Sequence, residues 1–156
     1  MQLKKIITFF VLSLSTFSFA QGEDNLYGFS LGYANQSGNF GKIGAFYIFD
    51  SSSSIATKID INANMAYMRD DFQIIPEIGI TGYITSFTLL DIFPFVETEF
   101  TPYTFTPKAG FSIFTMIDFG FGYGIKLHEK DNFKPIKGFQ FSVGINIPLN
   151  LHLKMM

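Results

Sequence analysis

Glu97 and Glu99 are the residues of this 156-residue chain whose types and spacing most directly suggest chemistry. They stand two apart in the segment 93–100, where Val96, Thr98 and Phe100 alternate with Phe95, Glu97 and Glu99. In a strand, residues i and i+2 share a face, which puts the two carboxylates about 6.5–7 Å apart. Such a pair can act as general acid and base, or can bind a cation. Acid–base work needs two carboxylates in unlike surroundings, and nothing in the sequence orients one apart from the other. The plainer reading is a buried ion network. Lys42, Lys58, Lys108 and Lys126 fall on the small, polar side of their own segments, and Asp60 and Glu77 add further acids. Buried charges must be paired, and these eight residues supply both signs. The expected role of Lys42, Lys58, Asp60, Glu77, Glu97, Glu99, Lys108 and Lys126 is therefore structural, with no catalytic residue among them.

The remaining candidates are weaker. His128 and His152 are the only histidines, and His128 opens a polar loop beside Glu129 and Asp131. A lone histidine near loop acids is a common surface arrangement and does not define a reaction. Gly120, Gly122 and Gly124 alternate within a strand pattern and lack the following helix of a phosphate-binding loop, so close packing explains them better. Arg69-Asp70-Asp71 and the acids of 129–131 read as solvated turn charge rather than calcium ligands. No tetrahedral metal-ligand cluster is present. With no cysteine in the chain, disulfides and a lipid-modified cysteine anchor are excluded. No cofactor and no metal are expected.

These side chains must be positioned by strands, because period-2 alternation runs through most of the chain. Residues 26–35 set Tyr27, Phe29, Leu31 and Tyr33 against Gly28, Ser30, Gly32 and Ala34. Residues 40–49 follow, with Phe46 spoiling an otherwise clean pattern, and 54–68 carry the longest alternation. From Phe72 onward Ile74, Ile78 and Ile80 oppose Gln73, Glu77, Gly79 and Thr81, but Pro76 interrupts and is expected at a strand end or a bulge. Further strands cover 93–100, 106–114, 118–127 and 138–147. Turn compositions separate them at 36–39, 50–53, 69–71, around Asp91, at 101–106 and at 115–117, with a polar loop over 128–137. The count is eight, in one domain.

Composition says which face looks outward. Aromatic residues reach 18%, mostly Phe, while charged residues are only 15%, well below the ~25% of soluble domains. Residues 1–20 read as a secretory signal peptide: a basic start at Lys4 and Lys5, an apolar run over 6–14, and Ser18-Phe19-Ala20 as the cleavage site. Beyond it no apolar run approaches the ~20 residues of a membrane helix. Removal of Lys4 and Lys5 takes Lys and Arg from 11 to nine against 13 Asp and Glu, which leaves no basic footprint for nucleic acid. An exported, greasy chain without helical spans can still cross a bilayer as a closed barrel. The alternative is a soluble lipocalin-like barrel or sandwich, whose outer face would be rich in Lys and Glu. The second face here is mostly Gly, Ser, Asn and Ala, which suits a crowded lumen. The aromatic and branched face is then exterior, with Tyr27, Tyr33, Tyr47, Tyr67 and Tyr123 as interfacial girdle residues.

The signal segment ending Phe19-Ala20-Gln21, the eight strands and the closing stretch 138–149 resemble small outer-membrane barrels of the OmpA/OmpX type. The chain looks most like the porin-like outer membrane protein β-barrel family of Bacteroidetes. Ile145, Ile147, Leu149, Leu151 and Leu153 match the family's alternating final strand, whereas Pro148 and the ending Lys154-Met155-Met156 depart from it. The resemblance implies an all-β, eight-stranded antiparallel up-and-down transmembrane barrel over 21–156, in the outer membrane of a Gram-negative bacterium. Its N-terminus would be periplasmic, with four short loops facing outward. Its partners would be outer-membrane lipid and, during biogenesis, the barrel-assembly machinery. Eight strands leave an interior that side chains fill, so a general diffusion pore is not expected. The leading expectation is a non-enzymatic protein with a structural or surface-interaction role. A narrow pore or small-solute channel comes second, and a lipid A-modifying enzyme using His128 comes third.

Overall fold

The computed structural model describes residues 25–51, 53–87, 90–131 and 133–150. The expected signal peptide, His152, Leu151, Leu153 and the Met-ended terminus lie outside the described residues. Eight antiparallel strands close into a barrel in sequence order: β1 (Leu26–Asn35), β2 (Asn39–Phe49), β3 (Ile55–Met68), β4 (Asp71–Ile84), β5 (Ile92–Phe100), β6 (Thr104–Ile113), β7 (Ile117–Lys126) and β8 (Gly138–Pro148). β8 returns to β1 over Gly28↔Pro148 to Asn35↔Phe141, so no strand edge is left over. The described chain ends meet at one end of the barrel, here the base, where the Asn150 side chain donates to the Asn25 carbonyl at 2.7 Å. The other end, the rim, carries the β1–β2, β3–β4 and β5–β6 turns and the loop 127–137.

Alternation sets the register, because a slip of one residue would exchange the two faces. The outer surface carries the branched and aromatic set: Phe29, Ile61, Ile74, Ile78, Val96, Phe121, Tyr123 and Phe139 are all about half exposed or more. The opposite parity points inward and is buried. Phe46 belongs to this inner set at 4% exposure, which explains why it breaks the pattern of its strand. Glycine lets neighbouring strands crowd around long side chains. A methyl group on Gly122 would lie 2.6 Å from the Pro107 carbonyl and would overlap the Lys108 stem.

The prolines follow the ladder in a way that alternation alone did not predict. Pro76 sits at neither a strand end nor a bulge. It lies inside β4, opposite Ala63 of β3, in an unbroken register from Ile55↔Ile84 to Met68↔Asp71. The β4–β5 ladder, however, spans only Ile78–Tyr83, so at Pro76 the β5 side of the strand has no neighbour and a missing N–H costs no bond there. Pro94 lies beyond the other end of the same short seam. Pro107 coincides with a gap in the β6–β7 ladder between Phe105↔Ile125 and Lys108↔Gly122. β6 begins two residues earlier than expected, taking in Thr104 and Phe105 from the expected loop, and β7 begins at Ile117.

Candidate functional site

The interior is stacked in three layers. At the base, Phe46, Ile48, Ala56, Tyr83 and Phe95 form an apolar cap with Leu26 against it. At the rim, Ala34, Phe40, Ala66, Met68, Ile75, Phe133 and Ile136 form a second, with Tyr103 packed on it. Charged and amide side chains fill the space between. Phe133 and Ile136 come from the loop 127–137, which the sequence presents as polar. The loop folds over the rim: Tyr103 stacks on Phe133 at 4.9 Å, Thr104 donates to the Ile136 carbonyl at 2.9 Å, and Arg69 donates to the Asp131 carbonyl at 2.9 Å.

The charged layer consists of two chains of ion pairs. In the upper one, Lys42 lies 2.8 Å from Glu77 and 2.5 Å from Glu99, and Lys108 lies 2.7 Å from Glu99 and 2.8 Å from Glu97. The order is Glu77, Lys42, Glu99, Lys108, Glu97. Glu97 and Lys108 are direct partners across β5 and β6, whereas Lys42 reaches across the lumen from β2. In the lower chain, Lys58 lies 3.5 Å from Asp60 and 3.0 Å from Asp118. Asp118 also accepts hydrogen bonds from Ser112 at 2.5 Å, Tyr83 at 2.9 Å and Asn146 at 2.8 Å. Asn62 joins the two chains, donating to Asp60 at 2.6 Å and to Glu77 at 3.4 Å. Gly79 lies opposite Asp60, where a methyl group would press on the carboxylate. A cavity of about 50 Å³ runs beside this layer, lined by residues that include Ser30, Asp60, Asn62, Glu97, Glu99 and Asp118.

Seven of the eight residues named from the sequence thus stand together in the lumen. Lys126 does not join them. Its parity points inward, but β7 ends there, above the packed interior, and its side chain pairs with Glu129 in the exposed loop. That hydrogen bond and the ammonium charge behind it hold the Glu129 carboxyl below the usual carboxylate range. Asp118 is the member that sequence reasoning left out. The signal was available, since Asp118 shares its parity with Gly120 and Gly122 on the small-residue face of its strand. His128 is exposed at the rim. The Asp71 carboxylate accepts from Phe72 N–H at 2.9 Å and from Gln73 at 3.0 Å, so it is engaged within its own turn. Among the described residues no three His, Cys, Asp or Glu side chains converge to hold a metal ion.

Four of the five tyrosines expected at the girdles face outward and are exposed: Tyr27, Tyr33, Tyr67 and Tyr123. Tyr47 is buried, with its ring 4.6 Å from that of Phe49.

No protein-family model, curated protein or solved structure matches this chain.

Proposed function

We propose that the protein is an integral outer-membrane barrel with a non-enzymatic, structural or surface-interaction role. The observation that carries this reading is the inversion of an ordinary globular protein. Large apolar side chains cover the outside of the wall while the ion pairs lie within it. Monomeric soluble proteins rarely expose contiguous apolar patches of more than a few hundred Å². The height of the belt also suits a bilayer. On β4 the outward series runs from Phe72 to Ile84, twelve residue steps. At ~3.3 Å per step and a tilt of ~40° that is a height of roughly 30 Å, against the ~25 Å apolar band of outer-membrane barrels. Tyr33, Tyr67 and Tyr123 toward the rim and Tyr27 at the base would then sit at headgroup depth.

In this orientation the base faces the periplasm and the short rim turns face outward. Export through the N-terminal signal segment and insertion by the barrel-assembly machinery complete the reading, which rests on the resemblance to small outer-membrane barrels. Two apolar caps with a layer of ion pairs between them favour a non-conducting role over a narrow pore. The test is fractionation with a heat-modifiability gel. The protein is expected in the outer-membrane fraction, with different mobilities before and after boiling. Recovery as a soluble periplasmic protein without a mobility shift would overturn the reading.

A further inference from the structure

The lumen contains more negative than positive groups. Lys42, Lys58 and Lys108 face Asp60, Glu77, Glu97, Glu99 and Asp118, so three ammonium groups meet five carboxylates, all held between apolar caps. Each lysine is already shared between two carboxylates, and each ion-pair chain begins and ends on an acid. Hydrogen bonding shows the same bias independently. Among the described residues the buried side-chain atoms without a protein partner are Asn64 Oδ1, Thr81 Oγ1 and Gln140 Oε1, and all three are oxygens. Each belongs to the neighbour of a lumen acid. Asn64 donates to Glu77 at 2.6 Å, Gln140 donates to Glu99 at 3.0 Å, and Thr81 lies opposite Glu97 in the β4–β5 ladder. All three residues are more than nine-tenths buried on the lumen side. The interior is therefore short of positive charge, and beside Glu77 and Glu99 it also leaves two amide oxygens, those of Asn64 and Gln140, without a donor; an uncompensated buried carboxylate is costly.

We propose that the lumen is a binding site for small monovalent cations, protons or alkali-metal ions, carrying up to two positive charges among Asp60, Glu77 and Glu97, acids that do not lie between two lysines. A divalent metal centre does not fit, because the carboxylates are spread along the network and never converge three at a time. The cavity of about 50 Å³ has room for a bare or singly hydrated ion and a few waters, but not for an organic cation. A proton bound at Glu77 turns that carboxyl into a donor beside Asn64, and a sodium ion in the cavity meets the carboxylates of Asp60, Glu97 and Glu99 that line it. The inference concerns the interior alone and stands whichever solvent the outer face meets.

The test is equilibrium urea unfolding of the full-length folded protein in detergent micelles, with folding verified by circular dichroism. At constant ionic strength, sodium is exchanged for N-methylglucamine, and each series is repeated from pH 6 to 9. The reference is Glu77→Gln/Glu97→Gln, which removes two acids without changing shape. Cation uptake predicts that the wild-type folding constant rises by up to about tenfold per tenfold increase in sodium for each ion bound. If protons are bound instead, it rises by up to about tenfold per unit fall in pH in N-methylglucamine for each proton bound. The sign follows from the folded state binding more protons than the unfolded one. The first result identifies an alkali-metal ion and the second protons, and the variant loses most of either dependence. A wild-type protein indifferent to both sodium and pH overturns the proposal, whether or not the variant folds. So does a dependence that the variant retains in full.

Discussion

The two ends of the barrel are closed by different kinds of residue. At the base, Phe46 and Ile48 belong to β2, Ala56 to β3, Tyr83 to β4 and Phe95 to β5, so every one is fixed by a strand whose backbone is bonded on at least one side. At the rim, strand residues such as Ala34, Phe40 and Ile75 form a socket, and Phe133 and Ile136 are lowered into it by a loop. The base cap cannot leave without breaking the wall. The rim cap can leave as a unit, at the cost of its own contacts, while the eight strands stay paired. Stability in a folded chain is not uniform, and elements with few anchoring contacts open locally long before the whole unfolds. The difference assigns the base to the frame of the molecule and the rim loop to its least tightly held part.

The sharpest way to break this contrast is to remove Tyr83. It is fully buried, meets Phe95 edge-on at 5.9 Å and donates to Asp118 at 2.9 Å. Truncation of a buried aromatic with no route for collapse costs about 3–5 kcal/mol. Tyr83→Ala is therefore expected to lower the urea midpoint of the whole barrel by that equivalent, with all strands melting together. Tyr83→Phe removes only the hydroxyl and is expected to cost about 1 kcal/mol, since Asp118 keeps Lys58, Ser112 and Asn146. A global midpoint unmoved by Tyr83→Ala would mean that the base cap does not brace the wall.

Phe133→Ala tests the other half. The ring is buried and stacked on Tyr103, yet its loss can cost no more than the docking free energy of the loop, because beyond that point the loop undocks. The global effect is expected to stay at about 1–2 kcal/mol, below the base substitution. The local effect is larger. Lys130 and Lys137 lie in this loop, so limited trypsin digestion should nick it several-fold faster in the variant while the barrel remains folded on a gel. Equal global losses at the two ends, with no change in nicking, would erase the distinction.

The wall of this molecule was far easier to read than its contents. Alternation placed β1 at its observed bounds and found all eight strands, because a two-faced wall imposes period 2 on nearly every residue. It also named Lys42, Lys58, Asp60, Glu77, Glu97, Glu99 and Lys108 as inward, since parity alone decides the side. Parity says nothing of height, which is why Lys126 was placed inside although it stands above the packed interior. Nor does it say which lysine meets which acid. Lys42 reaches Glu99 across the bore, a contact set by strand stagger and lumen width rather than by local pattern. Pro76 misled for a related reason. A proline is harmful only where a neighbour expects its N–H, and the short β4–β5 seam is a property of the sheet, not of β4. Phe133 and Ile136 were hidden because a loop has no period to reveal which of its residues turn inward.

The smallest expected effect lies where the loop crosses the rim to the opposite turn. Arg69 occupies a two-residue hairpin with Asp70, both at positive φ (48° and 65°), and its guanidinium donates to the Asp131 carbonyl. Arg69→Ala keeps the strained backbone geometry, since neither residue is glycine, and removes only this exposed tether. An exposed hydrogen bond to a carbonyl contributes at most about 1 kcal/mol, because water replaces it when it breaks. The urea midpoint is therefore expected to stay where it is. Trypsin nicking after Lys130 should rise by a small factor, less than in Phe133→Ala, because the tether holds the loop's position and the apolar side chains hold it down. The double variant decides between these roles. If tether and cap act on one docking step, Arg69→Ala adds little once Phe133 is gone, because the loop has already left. If the two effects multiply in full, the loop without Phe133 still docks, held by Ile136 and the Arg69 tether, and the two contributions simply add in free energy.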